Sequence, residues 1–175
     1  MSNVNNLYVA AGSLVTLGGA DLGHTVDGTE INIDREFTEV KSDLYGNTAI
    51  DFVLAGQKAT VKLKLAEITP NVLSYAIPET DYDIGTADDH VHFGTKPGYR
   101  LRNDALELII TPQGNNSDGQ RTVTLFKAVS TGNVTFAYKI DEQCVYEVEF
   151  TALVDTSRDG TDGRLLGRVG PVAIS

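Results

Sequence analysis

Along KATVKLKL (58–65) apolar and polar side chains alternate strictly, with Val61, Leu63 and Leu65 on one side and Thr60, Lys62 and Lys64 on the other. A period of two predicts a strand with one face buried and one in water. The same signature recurs along the chain. SLVTL (13–17) predicts a short strand and GGAD the turn after it. LGHTVDGTEINIDREFTEV predicts a DG turn and then a long strand with Ile31, Ile33 and Phe37 on one face, interrupted by Arg35. Further strands are expected at 104–111, with Leu106, Leu108 and Ile110 together, at 121–129, at 134–140 and at 143–155. The last sets Cys144, Tyr146, Val148, Phe150, Ala152 and Val154 against Val145, Glu147, Glu149, Thr151 and Leu153. Only 66–77 changes period: Thr69 is placed to cap a helix, Pro70 to open it, Val72, Leu73 and Ala76 to form its buried stripe, and Pro78 to stop it. These elements predict a mainly β protein, an antiparallel sandwich or barrel of about seven strands with one short helix packed on the outside. No internal repeat or linker divides 1–175, so a single domain is expected.

One stretch breaks the pattern. KSDLYGNTAIDFVLAG (41–56) does not alternate, and it is too long for a hairpin turn. It carries Leu44, Tyr45, Ile50, Phe52, Val53 and Leu54, whereas loops are ordinarily polar. An apolar loop left bare on a monomer is a liability, and a second copy of the chain would cover it. The segment 41–57 is therefore expected to be a long loop between subunits. The ends read in the same way. Leu7, Tyr8 and Val9 in 1–12, and Leu165, Leu166, Val169, Val172 and Ile174 in 164–175, are too many apolar residues for free termini. Both are expected to be arms that dock on neighbours.

Charge narrows the partners. The net charge is −10, with no cluster of Lys and Arg of the kind that grips nucleic acid. Between Glu67 and Asp89 stand six acids (Glu67, Glu79, Asp81, Asp83, Asp88 and Asp89) and no Lys or Arg. Such a run is a solvated face or a surface that repels phosphate. No run approaches the roughly 18 apolar residues that span a bilayer, and the N-terminus has neither a basic region nor a long apolar run, so no secretory leader is expected. The single cysteine, Cys144, allows no intrachain disulfide; it reads as a small buried hydrophobe and fits a reducing compartment.

Candidate chemistry is sparse. His90 and His92 are two apart, as in metal-binding strands, and Asp88 could join them. They lie in an irregular acidic segment, though, and His24 is distant in sequence, so a surface loop is the stronger reading. DTSRDGTDG (155–163) places Asp155, Ser157, Asp159 and Gly160 as in a calcium loop, but the twelfth position is Leu166 where a bidentate Glu is needed. No nucleophile elbow, phosphate loop or dinucleotide fingerprint occurs, and Cys144 has no local His to activate it. Glu147 and Glu149 share a strand face, as glycosidase acids do and as many solvated faces do. The expectation is a protein that is not an enzyme and holds no cofactor or metal. The alternative to a self-assembling structural protein is a β-sandwich binding module, for instance a carbohydrate-binding domain of a virion or secreted protein, although the chain has no Trp to stack on sugars.

The order of these elements resembles the tail tube (major tail) proteins of tailed bacteriophages. In that family a long strand leads into a loop similar to YGxTPxDxxLxG, then a Val-alternating strand, then a helix opening with LAE. Tyr45, Gly46, Thr48, Asp51, Leu54 and Gly56 match the loop, and Ala49 stands where proline is common. SLVTLGGADLGHTVDGTEI is similar to the family's opening hairpin, with Asp27-Gly28 in place of a double glycine. The likeness is concentrated in 13–77; the C-terminal half agrees in strand pattern alone. The resemblance implies a structural virion protein. Six copies would close a ring around an inner β-barrel, and stacked rings would form a tube that conducts DNA without specific binding. It implies contacts between subunits through Leu44, Tyr45, Ile50, Phe52, Leu54, Leu7, Tyr8, Leu165 and Leu166. Partners would be the chain itself and, beyond it, tape measure, tail terminator, baseplate or sheath proteins, with no membrane. Assembly would occur in the host cytoplasm. A conduit must not bind phosphates, since such binding is tight and salt-dependent. An acidic lumen is expected accordingly, with Glu30, Asp34 and Glu36 on the first long strand and Glu147 and Glu149 on the last.

Overall fold

The alternation at 58–65 is the inner part of a strand that runs for 17 residues. The computed structural model describes residues 11–67, 69–83, 89–94, 96–114, 119–136, 140 and 143–171. Its strands are β1 (Ser13–Leu17), β2 (Ala20–Asp21), β3 (Thr25–Lys41), β4 (Ala49–Leu65), β5 (Asp81–Asp83), β6 (His90–His92), β7 (Leu106–Pro112), β8 (Val123–Ser130), β9 (Tyr146–Ala152) and β10 (Gly167–Val169). The helix, α1, is Pro70–Ala76. The main sheet has the order β2-β1-β7-β8-β9-β4-β3, and every pairing in it is antiparallel. The mainly β architecture with one helix agrees with the reading of the sequence.

β8 carries the curvature. One edge pairs with β7, and the other changes partner midway, with Val123–Leu125 on β10 and Ala128–Ser130 on β9. The sheet bends far enough for β1 to meet β3. The Ser13 and Thr29 hydroxyls are 2.6 Å apart, and the Thr25 hydroxyl donates to the Ser13 carbonyl at 3.4 Å. Inside the curl lie Val15, Val61, Leu63, Leu65, Leu108, Ile110, Leu125, Val148 and Phe150, all buried. The alternation in β4 and β9 thus has its expected sense: Tyr146, Val148, Phe150 and Ala152 are buried in β9. α1 closes one end with Val72 and Ala76. The Thr69 hydroxyl accepts from the Val72 N–H at 3.3 Å, Pro70 opens the helix, and the Ile77 N–H closes its last turn on the Leu73 carbonyl.

Two glycine requirements are visible. Gly18 and Gly19, with φ of 57° and 86°, form the two-residue turn between β1 and β2, a turn that needs left-handed backbone. Gly167 lets β10 lie against β8, because a Cβ there would stand 2.5 Å from the Thr124 carbonyl oxygen.

Several expectations are corrected. The segment 41–57 is not a loop: β3 continues to Lys41 and β4 begins at Ala49, leaving 42–48 as the connection, with a 3₁₀ turn at Asp43–Tyr45. Two bulges hide this in the sequence. The register passes from Glu36↔Gly56 to Phe37↔Leu54, and from Val40↔Asp51 to Lys41↔Ala49, leaving Ala55 and Ile50 as the extra residues. Each inserted residue resets the alternation while the pairing continues. Asp27-Gly28 is also a bulge, within β3 between Val26 and Thr29, rather than a turn before it. Val134–Phe136 is not a strand: it joins no ladder, although β8 covers that edge of β9 only over Phe150–Ala152. Val134 packs on the core instead, and Phe136 meets the Tyr146 ring edge-on at 5.0 Å. Residues 137–139 lie outside the described residues. Cys144 is half-buried. The C-terminal segment is not a free arm over 165–170. β10 pairs with the chain's own β8, Leu166 packs against the core, and the Leu165 and Leu166 carbonyls accept from Asp155 and Phe126 at 3.0 Å each. Residues 172–175 and 1–10, with Leu7 and Tyr8, lie outside the described residues.

Candidate assembly surface

β4 touches β9 only over Thr60–Leu65. From Ala59 to Ala49 its ladder partner is β3 alone. The outer halves of β3 and β4 therefore leave the domain as a two-stranded ribbon, roughly 20 Å long beyond Arg35 at about 3.3 Å per residue. Residues opposite one another in an antiparallel ladder share a face. On the core side, Ile31 pairs with Val61 and Ile33 with Ala59; after Arg35–Gln57 come Phe37 with Leu54 and Glu39 with Phe52. The apolar surface that forms the core at Val61 thus continues outward past the domain. Ile33 and Phe37, expected inside, are about half exposed, at 50% and 53%, because the described residues of the protomer cover them only in part. At the tip Leu44 and Tyr45 are 81% and 61% exposed, and Ile50, Phe52, Val53 and Leu54 are exposed as well. Phe37 lies on this face, and Val40, exposed as well, lies on the ribbon's other face.

The opposite face of the ribbon's root is charged. Glu30 stands opposite Lys62 and Asp34 opposite Lys58, with Glu36 next along β3. Across the other edge of β4, Glu149 lies opposite Lys62 and Glu147 opposite Lys64. The five acids expected together, Glu30, Asp34, Glu36, Glu147 and Glu149, do share one face, with three lysines among them. Lys62 is 3.8 Å from Glu149, and Lys64 is 3.6 Å from Glu147 and 3.0 Å from Asp27. The hydrogen bond that Lys64 donates to Asp27, then the charges of Asp27 and Glu147, raise the Lys64 pKa above the usual lysine value. That holds the ammonium charged, the opposite of what a base or nucleophile requires. A shallow cleft of about 510 Å³ crosses this face, lined by Asp27, Glu30, Lys62, Lys64, Glu147 and Glu149.

The other sequence candidates do not assemble into a reactive site. His90 and His92 lie exposed on β6 with ring centroids 4.6 Å apart, edge to face. Asp88 lies outside the described residues, and no group of three or more His, Cys, Asp or Glu among the described residues could hold a metal. Asp155 takes the Ser157 N–H and hydroxyl at 3.2 and 2.7 Å and Arg158 Nε at 3.2 Å. The Ser157 hydroxyl foremost holds its pKa below the ordinary aspartate value. Asp159 likewise takes the Thr161 N–H and hydroxyl at 2.9 and 2.7 Å. The calcium-like loop is closed on its own donors.

No family model matches the chain, and no curated protein matches it. Among solved structures, the chain is similar to one in the virion of a native gene transfer agent particle, at 12% identity over 86% of this chain and 93% of that one, with a TM-score of 0.46. It is also similar to a chain in the tail of an empty gene transfer agent particle, computed with helical refinement in C6 symmetry, at 12% identity over 86% and 93% of the respective chains, with a TM-score of 0.45.

Proposed function

We propose that this chain is a structural subunit of a phage-type tail that polymerises with copies of itself, six to a ring, the rings stacking into a tube through which DNA passes. The observation that carries this reading is the ribbon formed by the outer parts of β3 and β4. A lone two-stranded ribbon is marginal in water, and this one bears exposed Phe37, Leu44, Tyr45, Ile50, Phe52 and Leu54. Such a surface is consistent with an element completed by a neighbouring copy. The residue-level resemblance to tail tube proteins falls on the same stretch, 45–56. Non-enzymatic action and a place in the virion tail follow from that reading. Negative-stain microscopy of the purified chain, over a range of salt and protein concentrations, tests it. Rings or tubes are expected, and a monodisperse monomer under all these conditions would refute it.

In this reading the charged face of β3, β4 and β9 lines the channel. Six carboxylates, Asp27 included, against three ammonium groups leave it net negative. At 0.15 M salt the screening length is about 8 Å, so phosphate is repelled inside the channel and hardly beyond it. Combining Glu147→Lys with Glu149→Lys is expected to leave a folded protomer, with cross-strand repulsion from Lys62 and Lys64 costing about 0.2–1 kcal/mol per pair. Assembled wild-type protein should bind DNA poorly. The reversed variant should retain it at low salt and release it as salt rises. Equal DNA binding by the two proteins would remove this face from the channel.

A further inference from the structure

We propose that the cleft between the end of α1, the 3₁₀ turn at Leu101–Asp104 and the end of β8 binds a hard divalent cation, Ca²⁺, through Glu79, Asp104 and Ser130. The cleft has a volume of about 220 Å³, and these three residues line it together with Thr80. Ser130 is 2% exposed, and its hydroxyl has no hydrogen-bond partner. Glu79 Oε1 is likewise buried without a partner. Buried polar atoms are nearly always paired, with protein, water or an ion, and an unpaired carboxylate is the more costly case. Glu79 adopts a left-handed φ of 69°, unusual for a residue other than glycine, and its N–H donates to Asp104 Oδ2 at 3.0 Å. That bond ties the Glu79 backbone to the Asp104 carboxylate, and both residues line the cleft. The Tyr99 hydroxyl donates to Asp104 Oδ1 at 2.6 Å and fixes the carboxylate's orientation. Among the described residues no Lys or Arg pairs with either acid.

A water in the cleft would answer the hydrogen bonds but leave the two carboxylates that line it without a counter-charge. A cation answers both. The side-chain donors are all oxygens, which selects a hard ion over zinc or copper. Their number is small and their loops irregular, which suits the adaptable coordination of Ca²⁺ better than the strict octahedron of Mg²⁺. Waters and backbone carbonyls would complete the shell.

Thermal unfolding of the purified chain in CaCl₂, with MgCl₂ and ionic-strength-matched NaCl alongside, tests the site. At 100 times the dissociation constant, Ca²⁺ is expected to raise the midpoint by roughly 5–10 °C. Glu79→Gln should abolish the shift, and Ser130→Ala should weaken Ca²⁺ binding about tenfold. Because the Ser130 hydroxyl has no partner, Ser130→Ala should fold without Ca²⁺ as well as the parent does, so it remains informative even if Glu79→Gln does not fold. Tb³⁺ gives a second readout. The chain has no Trp, so luminescence excited through tyrosine should report Tyr75 and Tyr99 beside the cleft, and excess Ca²⁺ should quench it. A wild-type shift no larger than that in NaCl would overturn the site. So would an undiminished shift in Ser130→Ala or Glu79→Gln.

Discussion

Replacing Tyr45 and Phe52 together by alanine is expected to leave a folded protomer that no longer assembles. Both side chains stand mostly in water in the protomer, at 61% and 59% exposure. Surface changes of this kind usually move stability by no more than about 0.5 kcal/mol, so the denaturation midpoint should hardly shift. In an assembly that covers the ribbon, each side chain would contribute roughly 1.5–3 kcal/mol on full burial. Losing both removes about 3–6 kcal/mol per subunit contact, a factor of roughly 10² to 10⁴ in the association constant. Sedimentation velocity and negative-stain microscopy of the two proteins at equal concentration measure the difference. Assembly at an unchanged critical concentration would show that the ribbon is not the joint. Loss of folding in dilute protomer would show that the ribbon is part of the monomer's own stability.

Phe150→Ala is expected to be the most damaging single change within the protomer. Phe150 is 1% exposed on β9, opposite Val61 of β4 and Ser130 of β8, where three strands meet. Truncating a core phenylalanine costs about 3–5 kcal/mol, part lost transfer energy and part cavity. A domain stable by only 5–15 kcal/mol in all can lose most of its margin. The thermal midpoint should fall by roughly 6–20 °C, at 2–4 °C per kcal/mol for a chain of this size. Ile33→Ala is the control: same sheet, same apolar face, yet half exposed beyond the core. It should scarcely move the protomer's midpoint and should weaken assembly. Equal destabilisation by the two substitutions would mean that the core extends into the ribbon.

Much of the protomer is written in local pattern. The alternation in 58–65 and 146–152, the helix opened by Thr69-Pro70 and stopped before Pro78, and the Gly18-Gly19 turn each depend on neighbours within a few residues. Burial period, cap chemistry and left-handed backbone are properties of short segments. The acidic set was legible for the same reason, as polar positions of strands whose other face is apolar. The apolar surplus of 41–56 was also plain, but its form was not. Bulges at Ala55 and Ile50 shift the alternation by one residue each, and a pattern interrupted twice looks irregular although the backbone ladder continues.

What only the tertiary structure decided is which edges are taken and which faces are left uncovered. Val134–Phe136 has a strand-like composition but packs by its side chains, Val134 on the core and Phe136 on the Tyr146 ring, without joining a ladder. Leu166 looks like a loose end until β10 is seen on β8, where Gly167 admits it. Ile33 and Val61 lie on the same apolar face, yet one is half exposed and the other fully buried, because the curl of the sheet covers the root of β3 and β4 and stops there. Glu79, Asp104 and Ser130 are far apart in sequence, and only the packing of α1 against β8 brings them to one cleft. Sequence determines which side chains must avoid water. Closure of the sheet determines which of them the protomer itself can cover, because cover depends on long-range pairing that no local period encodes.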